Sequence, residues 1–307
     1  MKNPVLLHAA LFLVALIYAA NYSLSKDVMP VYAGPFGLVV LRTLGAALFF
    51  GVLSRVVSQD RITGRADNVR AILSGLIGIA LNQLLFFGGL NLTTPINASL
   101  VQTVSPIVVV LASAVLLGEK IRPMRVVGIL VAGIGAALIV LGREVPTAAH
   151  ATNPVLGNML ILCNASAFGV YLVIVMPLMR KYNPFTVLAR IFLVGAVAAL
   201  PFGWRQALAI DFAQLPLVIW AEILYMVVFL TIVAYLLNNW ALKYASPTLT
   251  GVYLYLQPVL AVLIAVALGK DTFTVEKALQ ASLIFAGVFL VSKKPKAAPV
   301  PLTPTAE

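Results

Sequence analysis

The chain is written in long apolar blocks separated by short polar ones. Apolar runs of about 20 residues recur along it, the length an α-helix needs to cross roughly 30 Å of hydrocarbon. Ten such blocks can be marked, at roughly 5–25, 34–54, 71–90, 95–117, 123–142, 155–178, 184–204, 215–242, 247–269 and 273–292. One run, Ala71 to Gly118, goes 48 residues without a charged side chain and holds two blocks. The fifth and tenth are the most confined: 17 uncharged residues separate Arg125 from Arg143, and 15 separate Lys277 from Lys293. Long basic side chains at such ends can reach the interface and extend a span. The pattern predicts an all-α polytopic membrane protein with ten transmembrane helices. The first block outruns a signal-peptide core and no small-residue cleavage site follows it, so it reads as a retained helix. The segment 294–307, rich in Pro and Ala, is expected to be a disordered cytoplasmic tail.

Composition agrees with the pattern. The chain is 62% hydrophobic and 10% charged, with mean hydropathy +1.03. Soluble domains carry about one quarter charged residues, so a water-facing surface could not be covered here. The net charge of +11 resides in the loops and makes no single patch, which argues against a nucleic-acid partner. With the N-terminus placed in the cytoplasm, fourteen of the 21 Lys and Arg residues fall on the cytoplasmic side and five outside, Arg42 and Arg190 lying within spans. That asymmetry satisfies the positive-inside rule with both termini cytoplasmic. Cys163 is the single cysteine and sits in a predicted span, where it reads as a small packing residue and rules out an internal disulfide.

The chain also matches itself. Pro95 and Pro247 differ by 152 positions, and so do Pro106 and Pro258, Glu119 and Asp271, and Gly135 and Gly287. The text GGLNLTTPINASLVQTVSPIVVVLASAVLLGEK pairs with WALKYASPTLTGVYLYLQPVLAVLIAVALGKDT, and NPVL at 3–6 recurs at 153–156. Each half would hold five spans, an odd number, so the second half must enter the membrane inverted. Inverted repeats around a midplane site are a common design of secondary transporters, although a duplication could also simply enlarge a scaffold.

Polar groups inside the apolar blocks mark candidate function. Arg42 and Arg190 are charged residues well within spans and occupy corresponding positions in the two halves, where they could bind a substrate carboxylate or gate; carbonyl capping or snorkelling is the plainer alternative. Glu222 is the one carboxylate well within a span and is a candidate coupling group, with the alternative that it is a wetted helix end beside Trp220. His8 is a weaker candidate. On the fourth span Ser99, Gln102 and Ser105 share one helix face; on the ninth Thr250, Tyr253 and Gln257 do much the same. With Asn21, Tyr22, Asn82, Gln83, Asn238 and Trp240 they could line a central cavity, or else hydrogen-bond helix to helix. Pro106 and Pro258 fall deep in their spans and predict kinks. GIGAAL at 133–138 lacks the strand a dinucleotide fingerprint needs. No cofactor and no metal site is expected.

The order and spacing of these segments resemble the drug/metabolite transporter superfamily, and within it the EamA-type transporters. The carrying segments are YAANYSLSK (Tyr18 to Lys26), LRTLGAALFF in the second span, and the small-residue turn, helix and Leu-Gly-Glu loop of residues 88–120. Two departures stand out: the second half has ASAFGVYLV at 165–173 where the first has its Asn and Lys, and GKD at 269–271 answers GEK at 118–120. The resemblance implies two EamA-like repeats, residues 1–150 and 151–293. It implies a secondary carrier of small organic solutes, amino acids or related metabolites and drugs, working as an exporter by alternating access. The membrane would be a bacterial inner membrane, the partners a small-molecule substrate and the lipid bilayer, and a homodimer the assembly to test for. A carrier of phosphorylated solutes or nucleotide sugars with the same fold is the alternative, but it would want more cations than two arginines. A membrane-embedded enzyme is remoter: there is no HExxH, no carboxylate pair within the spans, and only His8, His150 and Cys163 as nucleophile or ligand candidates.

Overall fold

A computed structural model describes residues 4–58, 60–118, 123–141, 151–237 and 247–292. Among them every regular element is a helix: α1 (Pro4–Val28), α2 (Pro35–Val57), α3 (Arg65–Leu92), α4 (Pro95–Gln102), α5 (Ser105–Leu117), α6 (Pro123–Leu141), α7 (Pro154–Lys181), α8 (Pro184–Leu208), α9 (Leu217–Leu237), α10 (Pro247–Ala267) and α11 (Val275–Ser292). Eight stretches are long and apolar enough to cross a membrane: α1, α2, α3, α4 with α5, α6, α7, α8 and α9. The confined fifth block is thus a helix of sufficient length. Where the ninth and tenth spans were expected stand α10, which contributes the shorter apolar stretch Leu256–Ala267, and α11, with Glu276 and Lys277 in its first turn.

Proline and polar caps set where the helices begin. Pro occupies the first turn of α2, α4, α5, α7 and α8, where its missing N–H is harmless. Asn153 and Asn183 cap α7 and α8 by accepting from Leu156 N and Phe185 N. Gly118 and Gly269 take φ of 69° and 64° just past α5 and α10, the left-handed turn at which a glycine ends a helix without strain.

Just before Pro106, where a kink is predicted, one tight turn interrupts the helix. α4 stops at Gln102, Thr103 and Val104 form tight turns onto Leu100 O and Val101 O (both 3.1 Å), and α5 restarts with Pro106 in its first turn. Proline at 106 cannot supply the N–H that the Gln102 carbonyl would receive in a continuous helix. The Ser105 hydroxyl donates to that carbonyl instead, at 2.8 Å, and Thr103 Oγ1 donates to Ser99 O at 3.1 Å. Pro258 lies inside α10, which runs from Pro247 to Ala267.

The helices pack in pairs: α2 along α8, α6 along α11, α3 along α7, and α1 along α10, with α5 also against α7. Small residues let backbones touch. A Cβ on Gly128 would lie 2.6 Å from Gly287 O, and Gly89 and Gly157 each approach the other's carbonyl so that a Cβ would stand 2.8 Å away. The bundle has two polar ends. One is tied by Asn153 N to Leu92 O (3.2 Å), by Gln206 Oε1 accepting from Phe36 N and Gly37 N (2.8 and 3.1 Å), and by the Asp27–Lys270 ion pair. At the other, Asp67 pairs with Lys181 (2.6 Å) and accepts from Tyr182 Oη (2.9 Å).

Candidate functional site

Two of the spanning helices change their winding between these ends. α3 is a π-helix over Leu76–Leu81 and α9 over Met226–Val233. A π segment widens the turn by a residue and leaves carbonyls and side chains out of the ordinary register, which is why such segments gather at functional sites. In α9 the Thr231 hydroxyl donates to Met226 O at 2.8 Å within the widened turn. In α3 Gly78 has no side chain where the Tyr171 ring comes closest, so α7 can bring an aromatic ring against the segment.

Arg42 sits between the two. It is only 4% exposed. Its Nε donates to Thr231 Oγ1 at 3.1 Å and its NH1 to Gln83 Oε1 at 2.8 Å, just past the π turn of α3. The guanidinium lies 4.8 Å from the centre of the Phe87 ring, a cation–π distance. Tyr18 of α1 and Tyr235 of α9 are close enough to act on it electrostatically, and Tyr171 of α7 on both of them in turn. Every one of these partners is neutral, and no carboxylate is among the described contacts of Arg42. A buried guanidinium without a counter-ion is costly, so the arrangement can accept an anionic group at little further desolvation.

The other sequence candidates divide. Asn21 and Tyr22 are buried on α1, Asn21 Oδ1 accepting from Ser25 (2.8 Å) and Tyr22 edge-on to Phe86 at 5.5 Å. Asn82 exchanges hydrogen bonds with Asn164 across the α3–α7 contact, at 3.3 and 2.7 Å, and so clamps two helices together. Ser99 and Ser105 spend their hydroxyls on backbone carbonyls at Ile96 and Gln102. Gln102 keeps a buried amide oxygen with no partner among the described residues. Gln257 is half-buried, and Tyr253 reaches His8 Nδ1 at 2.9 Å, near the Asp67 end. Arg190 is exposed on α8, and Cys163 is exposed on α7. Asn238 and Trp240 lie outside the described residues, as does the side chain of Thr250. Sequence reasoning missed Tyr18, Phe87, Tyr171, Thr231 and Tyr235. Only Tyr18 had a signal, as the first residue of YAANYSLSK.

Glu222 is buried in α9 and its Oε2 has no hydrogen-bond partner among the described residues. Its carboxyl lies within hydrogen-bonding reach of Asp27 at the end of α1, and Asp27 forms an ion pair with Lys270. The carboxylate pair that the spans alone did not contain is therefore made between a helix interior and a helix end.

Comparison with known proteins agrees with this architecture. The model of the EamA-like transporter family matches residues 6–141 and again 155–293. An uncharacterized transporter of Bacillus subtilis (strain 168), YyaM, is 24% identical over 273 residues, covering 89% of each chain. An uncharacterized transporter of Archaeoglobus fulgidus is 29% identical, covering 71% of this chain and 74% of its own length. A protein of Streptantibioticus cattleyicolor named "Probable terminal-alkyne amino-acid exporter" is 25% identical, covering 85% of each chain. The fold is also that of a solved crystal structure, with a TM-score of 0.60 at 23% identity, over 93% of this chain and 96% of that one. A multi-pass bundle of apolar helices, matched by one family model in both halves, makes this chain an integral membrane transporter of the EamA-like family in the drug/metabolite transporter superfamily, and not an enzyme.

Proposed function

We propose that the chain exports small organic solutes, amino acids or related metabolites, by alternating access between two inverted five-helix repeats, residues 1–150 and 151–293. The observation that carries the reading is Arg42: a buried cation held by neutral groups between two π segments, one in each half. A substrate carboxylate would supply the missing counter-charge bidentately. The family match in both halves and the pairing of α2 with α8 and α6 with α11 support the repeat. The exporter name of one relative supports the cargo and the direction. Gln102, with its unpartnered amide oxygen, and Gln83 are assigned to the polar lining; Arg190 is assigned to the lipid interface.

Phosphorylated solutes fit less well, because the described site offers Arg42 as its cation and a phosphate ester would need more. The test is counterflow of a labelled amino-acid panel in liposomes. Arg42→Ala is expected to reduce flux at least about tenfold, equivalent to about 1.4 kcal/mol, with retained folding by size-exclusion profile. Undiminished flux in a folded Arg42→Ala protein would remove the assignment.

A further inference from the structure

We propose that Glu222 and Asp27 form a proton-binding site at the α1–α9 contact, which holds one proton between two carboxyls and latches that end of the bundle through the Asp27–Lys270 ion pair. The purpose of the latch rests on the transporter reading; its chemistry does not.

Glu222 is 8% exposed, and its Oε2 is sealed from solvent with no partner among the described residues. An ionised carboxylate in that state would be a buried charge with an unmet acceptor, among the costliest groups a fold can hold. Its nearest ionisable neighbour is another carboxyl, Asp27. Two carboxylates in contact cannot both ionise cheaply, whereas one acid and one carboxylate share a hydrogen bond. The surrounding charges leave the pair in need of a proton. From the α10–α11 turn, Lys270 is engaged by Asp27 and by Ser23 O at 3.4 Å. Asp271 accepts from Lys277 Nζ of α11 at 3.0 Å and from Ile96 N of α4 at 3.1 Å. Lys26 of α1 donates to Asn91 O of α3 at 3.2 Å and faces Asp271. Lys270 also acts on Glu222, but its ammonium is engaged by Asp27.

With the proton in place, the pair and Lys270 sum to zero charge, and α1, α9 and the α10–α11 turn are drawn together. When the proton leaves to solvent, two adjacent carboxylates share one ammonium. Their repulsion and their need for water then favour separation of α1 from α9 at this end. Proton release and opening are one event.

The test needs no solute. The full chain in phosphatidylcholine vesicles is followed by infrared difference spectroscopy through a pH titration, in water and heavy water. The expected result is a deuterium-sensitive carboxylic-acid carbonyl band at neutral pH, abolished by Glu222→Gln. In Asp27→Asn, Glu222 loses the carboxyl that shares its proton and keeps Lys270, so the band at neutral pH weakens. Should Glu222→Gln fail to fold, Asp27→Asn carries the test alone. A neutral-pH spectrum with no Glu222-dependent band, or a band unchanged by Asp27→Asn, overturns the proposal. A normal band in vesicles that move no solute would instead reject the transporter reading and leave the proton site standing.

Discussion

Thr231 shows how much a single hydroxyl can position. It donates backward to Met226 O, a five-residue step that only a π turn brings into range, and it accepts from Arg42 Nε. Removing the hydroxyl frees both groups at once. Thr231→Val, equal in shape, is expected to lower solute flux about three- to tenfold while Thr231→Ser restores it. Folding should be unchanged, because interhelical hydrogen bonds in membranes average under about 1 kcal/mol. Flux assays on the two variants side by side check this; equal losses in both would make Thr231 a packing residue. Arg42 could be singled out in the sequence because a charge in an apolar block is conspicuous. Tyr171 and Tyr235 could not, since a tyrosine in a membrane helix is ordinary at an interface and in a core alike.

At the scale of elements, the polar stripe of TTPINASLVQTVSPIVVV has a partly structural explanation. Ser105 and Thr103 stand in for backbone donors lost where the helix breaks before Pro106. Ser105→Ala should therefore cost about 1 kcal/mol by leaving the Gln102 carbonyl unmet, whereas Pro106→Ala supplies an N–H and allows α4 and α5 to join. The double variant Ser105→Ala with Pro106→Ala should recover the single loss, a coupling that a double-mutant cycle of thermal stability in detergent reads directly. Additive losses would mean that the hydroxyl does something else. The place of this interruption was legible in the sequence as a predicted kink, because proline at depth removes a backbone bond whatever surrounds it. At its partner, Pro258, α10 continues through the residue. The π segments had no legible signal: they depend on which face of α3 and α9 finds partners, and that is decided by other helices.

For the whole molecule, hydropathy and charge carried most of the fold. Apolar blocks mark helices because the bilayer demands a fixed length, and the block boundaries agree with the observed helices to within a few residues. What stays hidden in such a pattern is which side chains meet across it, as with Asp27 and Glu222, brought together from positions 195 residues apart. The positive-inside rule, applied to the distribution of Lys and Arg, predicts both termini in the cytoplasm. Reporter fusions at each end, one active only in the cytoplasm and one only outside, should both report the cytoplasmic side. An outward signal from either would overturn that prediction.

The close approach of Gly128 to Gly287 joins α6, from one half, to α11, from the other, backbone against backbone. Such a close contact leaves little room for sliding. If one half rocks against the other, this seam is the axle, and the distance travelled grows with separation from it. The largest excursions then belong to helices that do not share in the seam, among them α1 and α9, which carry Asp27, Tyr18, Glu222 and Thr231.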